Sequence, residues 1–177
     1  MQPRFCPRHD FGLPSVAKTR RVIPMTAFEQ ANQNARTGQE TLEASSRVIA
    51  KRLTIMSEAL ADPLHADHAE LSRMGTEKVV AMTAATEALI DGAVDLTRTS
   101  YSIAEREADL GSSLINQMSQ ARSLTDVALL QAQWGMAAWG RAFSDSQALT
   151  LSLLDTQARA LKPIHGTVTR NASRLKA

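Results

Sequence analysis

His65 and His68 stand three residues apart in Asp-Pro-Leu-His-Ala-Asp-His-Ala-Glu, between Asp62 and Glu70. On a helix that spacing puts both imidazoles on one face, and imidazole beside carboxylate is a donor set that a transition metal accepts. The set lacks partners. A di-iron helical bundle needs two Glu-x-x-His motifs plus further glutamates, and here there is at most one Asp-x-x-His. A zinc site needs at least three protein ligands, which the chain does not gather. The plainer reading is a solvated first helical turn whose acids are favoured by the helix dipole, and no metal is expected.

The other reactive side chains are equally bare. Cys6 lies in a proline-rich opening with no fixed base beside it, which makes it a poor nucleophile. Gly135 and Gly140 are isolated and follow no strand, so they form no phosphate loop. Glu105, Glu107 and Asp109 read as an acidic helix surface. No enzyme signature and no cofactor site remain.

What remains is apolar. Beyond residue 24 the aromatics are Phe28, Tyr101, Trp134, Trp139 and Phe143, and three of these five lie within ten residues, in Trp-Gly-Met-Ala-Ala-Trp-Gly and the Phe143 that succeeds it. At about 100° per residue, Trp139 and Phe143 share a face, whereas Trp134 lies about 140° from Trp139. One interface cannot easily bury both groups. Either two protein neighbours flank this helix, or one side meets the bundle and the other a different surface. The simplest alternative makes all three rings assembly anchors.

The elements that carry these residues are helical throughout. The 177 residues are rich in Ala, Leu, Met, Gln, Glu, Arg and Lys, with 4% aromatics; these are helix formers, and no segment alternates as a strand would. The fold class is all-α: elongated amphipathic helices in a hairpin or coiled-coil bundle. One cysteine excludes an internal disulfide framework and suits a reducing compartment. No apolar run is long enough for a transmembrane helix, and the opening lacks the apolar core of a secretory signal.

Charge is unevenly placed. Residues 1–24 have a net charge of +4, residues 25–155 a net of −7, and five basic residues without an acid come after Asp155. The pI of about 9.0 reflects the two ends, so no nucleic-acid partner is expected from it. Residues 1–25 read as a disordered basic tail, dispensable or the product of an upstream start codon, because Met25 opens like a natural helical N-terminus; the rival is a basic arm for an acidic partner. Residues 26–162 are expected to form the helical domain, and 163–177 a short basic tail with room for a last helical turn or two.

A first helix is expected from about Thr37, or nearer Phe28, to Ala61, with Leu42, Ile49, Leu53, Met56 and Leu60 as one stripe. Asp62-Pro63 ends it and is expected to start the next helix, with Asp62 as N-cap and Pro63 at the first helical position. The second helix, to about Arg122, is the very long central one, roughly 90 Å. It carries Met82, Leu89, Leu96, Ile103 and Leu110 at sevens, the expected oligomer seam. The third runs from about Ser123 to Leu161 and ends at Lys162-Pro163.

The order of these parts resembles the phasins, small helical proteins that coat polyhydroxyalkanoate granules in bacteria. The resemblance rests on ETLEASSRVIAKRLTIMSEALADPLHADHAELSRMGTEKVVAMTAATEALIDGAVDL and on the ending ALKPIHGTVTRNASRLKA, and covers about residues 26–170. It implies a non-enzymatic coat at the surface of cytoplasmic granules, limiting their size and coalescence. It also implies homo-oligomers, and polymer synthase or depolymerase as candidate partners. The Lys/Ala/Pro repeat tail by which some phasins bind DNA is absent. Trp134, Trp139 and Phe143 are then the candidate polymer or assembly contact. The rival function is a soluble coiled-coil scaffold or adaptor with a protein partner; a secreted helical hairpin and an enzyme rank below it.

Overall fold

The computed structural model describes residues 25–175; the expectations for residues 1–24 lie outside them. The described residues form three helices, α1 (Ala27–Ala61), α2 (His68–Ser119) and α3 (Leu124–Arg174), of 35, 52 and 51 residues. The chain is all-α, and a 52-residue helix extends about 78 Å.

Each helix starts where its side chains satisfy the first orphan amides. In α1, Thr26 and Glu29 form a reciprocal capping box, so the helix begins at Ala27 and passes through Gly38 unbroken. In α3, the Ser123 hydroxyl accepts from the Asp126 amide at 3.1 Å. The start of α2 corrects the sequence expectation. Asp62 closes α1 rather than opening α2, and its Oδ1 accepts from the Leu64 and His65 amides at 3.2 and 3.4 Å. This side-chain turn occupies 62–65, and the N-cap falls to Asp67, which accepts from the Glu70 amide at 2.9 Å.

α2 and α3 form an antiparallel hairpin. Glu107 faces Arg141, Asp95 faces Arg159 and Glu70 faces Arg174 along its length. α1 lies parallel to the C-terminal half of α3: Asn34 Nδ2 donates to the Leu154 carbonyl at 2.7 Å, and Thr41 meets His165 at 3.0 Å. The Thr41 hydroxyl already donates to the Thr37 carbonyl at 2.6 Å, so it accepts from His165 Nδ1–H. α1 begins beside Ser146, Gln147 and Thr150. The molecule is therefore a three-helix bundle at one end and a bare two-helix tip at the other.

The second correction concerns α3, which does not end at Lys162-Pro163 but passes through Pro163 to Arg174. Proline deprives the Arg159 carbonyl of its helical donor. Residues C-terminal to the proline offset that loss: Ile164 and Val168 wall a space shared with α1 and α2, and buried Asn171 donates to Glu77 at 2.7 Å.

The core is thin. Its buried apolar residues are Ala44, Val48, Ala81 and Ala85, its buried polar ones Asn34, Thr41, Glu70 and Asn171, and none of the described large side chains is fully enclosed. Helices with small residues at the contact approach closely: a Cβ on Gly92 would lie 2.1 Å from Thr156 Cγ2.

Candidate functional site

Between Asp126 and Asp155, α3 has two charged side chains, Arg141 and Asp145. Both point at α2. Arg141 donates Nε and Nη2 to the two Glu107 oxygens at 2.8 and 3.1 Å, and Arg106 Nη2 donates to Asp145 at 2.6 Å. The Arg141 bonds, with Arg106 adding to them, hold the Glu107 carboxyl below its usual range. The Asp145 bond raises Arg106 in turn. The opposite face of α3 is left without charge over about 40 Å.

That face carries Met136, Trp139 and Phe143, exposed to 80%, 81% and 68%. Large apolar side chains this open in a contiguous row mark a contact surface. The same side of α3 is covered by α1 further along, where Asn34 reaches Leu154 and Gln157. Because α1 starts at Ala27, its cover stops short of Phe143. The uncovered rings thus continue a helix-docking face past the end of the helix that docks on it.

The two tryptophans part as their angular separation predicts. Trp134 is 37% exposed and its ring lies 5.7 Å from the Arg141 guanidinium, a cation–π distance. It belongs to the α2 side of the tip; Trp139 and Phe143 belong to the open side.

The remaining expected contacts divide. Met82 and Leu89 of the sevenfold seam are exposed, while Leu96, Ile103 and Leu110 are half-buried, and Ile103 lines a groove with Ala138 and Leu149 of α3. A second row on α2 has no counterpart in the sequence expectations: Val79, Ile90 and Tyr101, all exposed, recur at elevens. Eleven residues make just over three whole turns, so they align on a nearly straight helix. On α1 the whole stripe from Leu42 to Leu60 faces outward, and the buried side is Asn34, Thr41, Ala44 and Val48.

His65 and His68 are engaged within the turn. His65 Nδ1 is 2.8 Å from Asp62 and His68 Nε2 is 3.0 Å from the Pro63 carbonyl. No group of three potential metal ligands occurs among the described residues.

A family model described as Phasin protein matches residues 69–168, more than half of the chain. The chain belongs to the phasin family. The match spans nearly all of α2 and α3 to Val168, so it takes in the whole two-helix tip and the open face with Trp139. α1 and the last turns of α3 lie outside it. No curated protein and no solved structure matches this phasin. No helix of its described residues is long and apolar enough to cross a membrane.

Proposed function

We propose that this phasin is a non-enzymatic coat that adsorbs to polyhydroxyalkanoate granules in the cytoplasm and limits their size and coalescence. The observation that carries the reading is the charge-free outer face of α3, with Met136, Trp139 and Phe143 in the open. A polyester surface is moderately apolar and nearly flat. A straight row of apolar side chains separated by small and hydroxyl residues suits it, and the row of Val79, Ile90 and Tyr101 on α2 has the same character. Self-association fits Met82 and Leu89 together with the open stripe of α1. Polymer synthase or depolymerase is a candidate partner on family grounds alone.

The test is co-sedimentation of the full chain with polyhydroxybutyrate particles. Each of the three side chains contributes about 1.5–3 kcal/mol if fully buried. The triple variant Met136→Ser, Trp139→Ser, Phe143→Ser should therefore weaken adsorption by about a hundredfold or more. Circular dichroism should show its helicity unchanged, since none of the three is buried. Adsorption equal to that of the parent would remove this face from the contact.

A second reading is favoured by α1. Leu42, Ile49 and Met56 alternate with Ser46, Leu53 and Leu60 at steps of four and three, a heptad register that suits a partner helix better than a flat surface. A coiled-coil scaffold would leave the triple variant's protein contacts intact and would stay in the supernatant when polymer is spun down.

A further inference from the structure

Where the three helices meet near the end of α1, they leave an open cavity of about 490 Å³, within the size range of small-molecule sites. Its walls are mainly apolar: Val48 from α1, Ala81 and Met82 from α2, Ile164 and Val168 from α3. Its polar side is formed by Arg52, Glu77, Lys78 and Asn171.

The charges around that side do not balance. Arg52, Arg73, Lys78 and Arg174 stand against Asp67, Glu70 and Glu77. Glu70 and Glu77 are engaged by the three arginines, and the Asp67 carboxylate accepts from the Glu70 amide as the α2 cap. Lys78 makes no ion pair among the described residues. Arg52 Nε is buried with no acceptor, although Arg52 Nη2 bonds Glu77 at 2.9 Å. That nitrogen has no open surface, so the cation left for a ligand's acceptor is the exposed Lys78.

We propose that this cavity binds a single-chain carboxylate amphiphile, a medium-length fatty acid. The chain lies along the walls formed by Val48, Met82, Ile164 and Val168, and the carboxylate sits on the Lys78 ammonium. One negative charge matches the one positive charge in excess. The apolar walls reject a small hydrophilic anion, and the basic side rejects an amphiphilic cation. The site is in the three-helix end of the bundle, remote from Met136, Trp139 and Phe143, and its existence does not depend on how the tip is used.

The experiment is calorimetric titration of decanoate, below its micelle concentration, into the full chain, with decanol and decyltrimethylammonium as comparisons. Decanoate should fill one saturable site, and the other two should bind at least about tenfold more weakly, the loss of a charge-assisted hydrogen bond. Lys78→Glu, at an exposed position, and Val168→Trp, which fills the cavity, should each abolish that site. Trp139→Ser with Phe143→Ser should leave it unchanged. Decanol binding as tightly as decanoate, or a decanoate site that survives Lys78→Glu, would overturn the proposal; should Val168→Trp lose helicity, Lys78→Glu alone decides it.

Discussion

A chain carrying Gly92→Leu should lose about 3 kcal/mol of stability to urea, the upper part of the usual range for overpacking a helix contact. The side chain of Thr156 stands directly over Gly92, and a Cβ there would lie 2.1 Å from Cγ2, 2.3 Å from Oγ1 and 2.7 Å from Cβ. Every staggered χ1 leaves at least one of the first two atoms facing Gly92, and the third does not move. α2 and α3 must therefore part, and the neighbouring contacts of Ala81 and Ala85 loosen with them. Gly92→Ala is the finer probe, because alanine gains about 1 kcal/mol in helix propensity while it meets the same obstruction. Adding Thr156→Gly to Gly92→Ala should return stability toward that of the parent. If Gly92→Ala alone is neutral or stabilising, the close approach is not a constraint.

Removing Glu70 should cost about 2 kcal/mol, less than the roughly 3–5 kcal/mol of a fully buried pair, because its arginine partners remain part-solvated. Only 3% of Glu70 is exposed. It accepts from Arg174 Nη1 and Nη2 and from Arg52 at 3.4 Å, so one carboxylate joins the ends of α1, α2 and α3. The Arg174 hydrogen bonds, with help from Arg52 and against the cost of burial, hold its carboxyl below the ordinary glutamate range. A folded carboxyl that titrates lower than the unfolded one adds stability above the unfolded pKa of about 4.3. That stability drains away as pH falls through the lower folded value. Thermal melts of the parent should thus drop on acidification below about pH 4, and Glu70→Gln should be less stable at neutral pH with a shallower drop. Parallel acid profiles for the two chains would show that Glu70 does not carry the effect.

The three helices, the break at Asp62-Pro63 and the long central element are legible in the sequence because propensity and proline act locally. Pro163 is not, since its local cost is offset by distant partners: Ile164 and Val168 on one cavity wall and Asn171 on Glu77. The divergence of Trp134 from Trp139 follows from helical geometry. Which of them turns outward does not, for it depends on Glu107 drawing Arg141, and Trp134 beside it, toward α2. The stripe on α1 is plain as a pattern, yet an apolar stripe usually faces its own bundle. Here Asn34 and Thr41 hold the inner side by hydrogen bonds and leave Leu42 to Leu60 outside. Glu70 and Gly92 give no periodic signal. The scarcity of charge from residue 127 to 154 is visible in the sequence, but its meaning requires knowing that Arg141 and Asp145 are both spent on α2.

Tryptophan emission on adsorption to polyhydroxybutyrate particles tests most directly whether the outer face of α3 meets the polymer. Trp139, 81% exposed, should start red-shifted and move to the blue, while Trp134, held beside Arg141, should change little. The Trp134→Phe chain should accordingly keep the shift and gain protection from quencher, and the Trp139→Phe chain should lose both. A shift that stays with Trp134 and vanishes from Trp139 would contradict the assignment of this face to the granule.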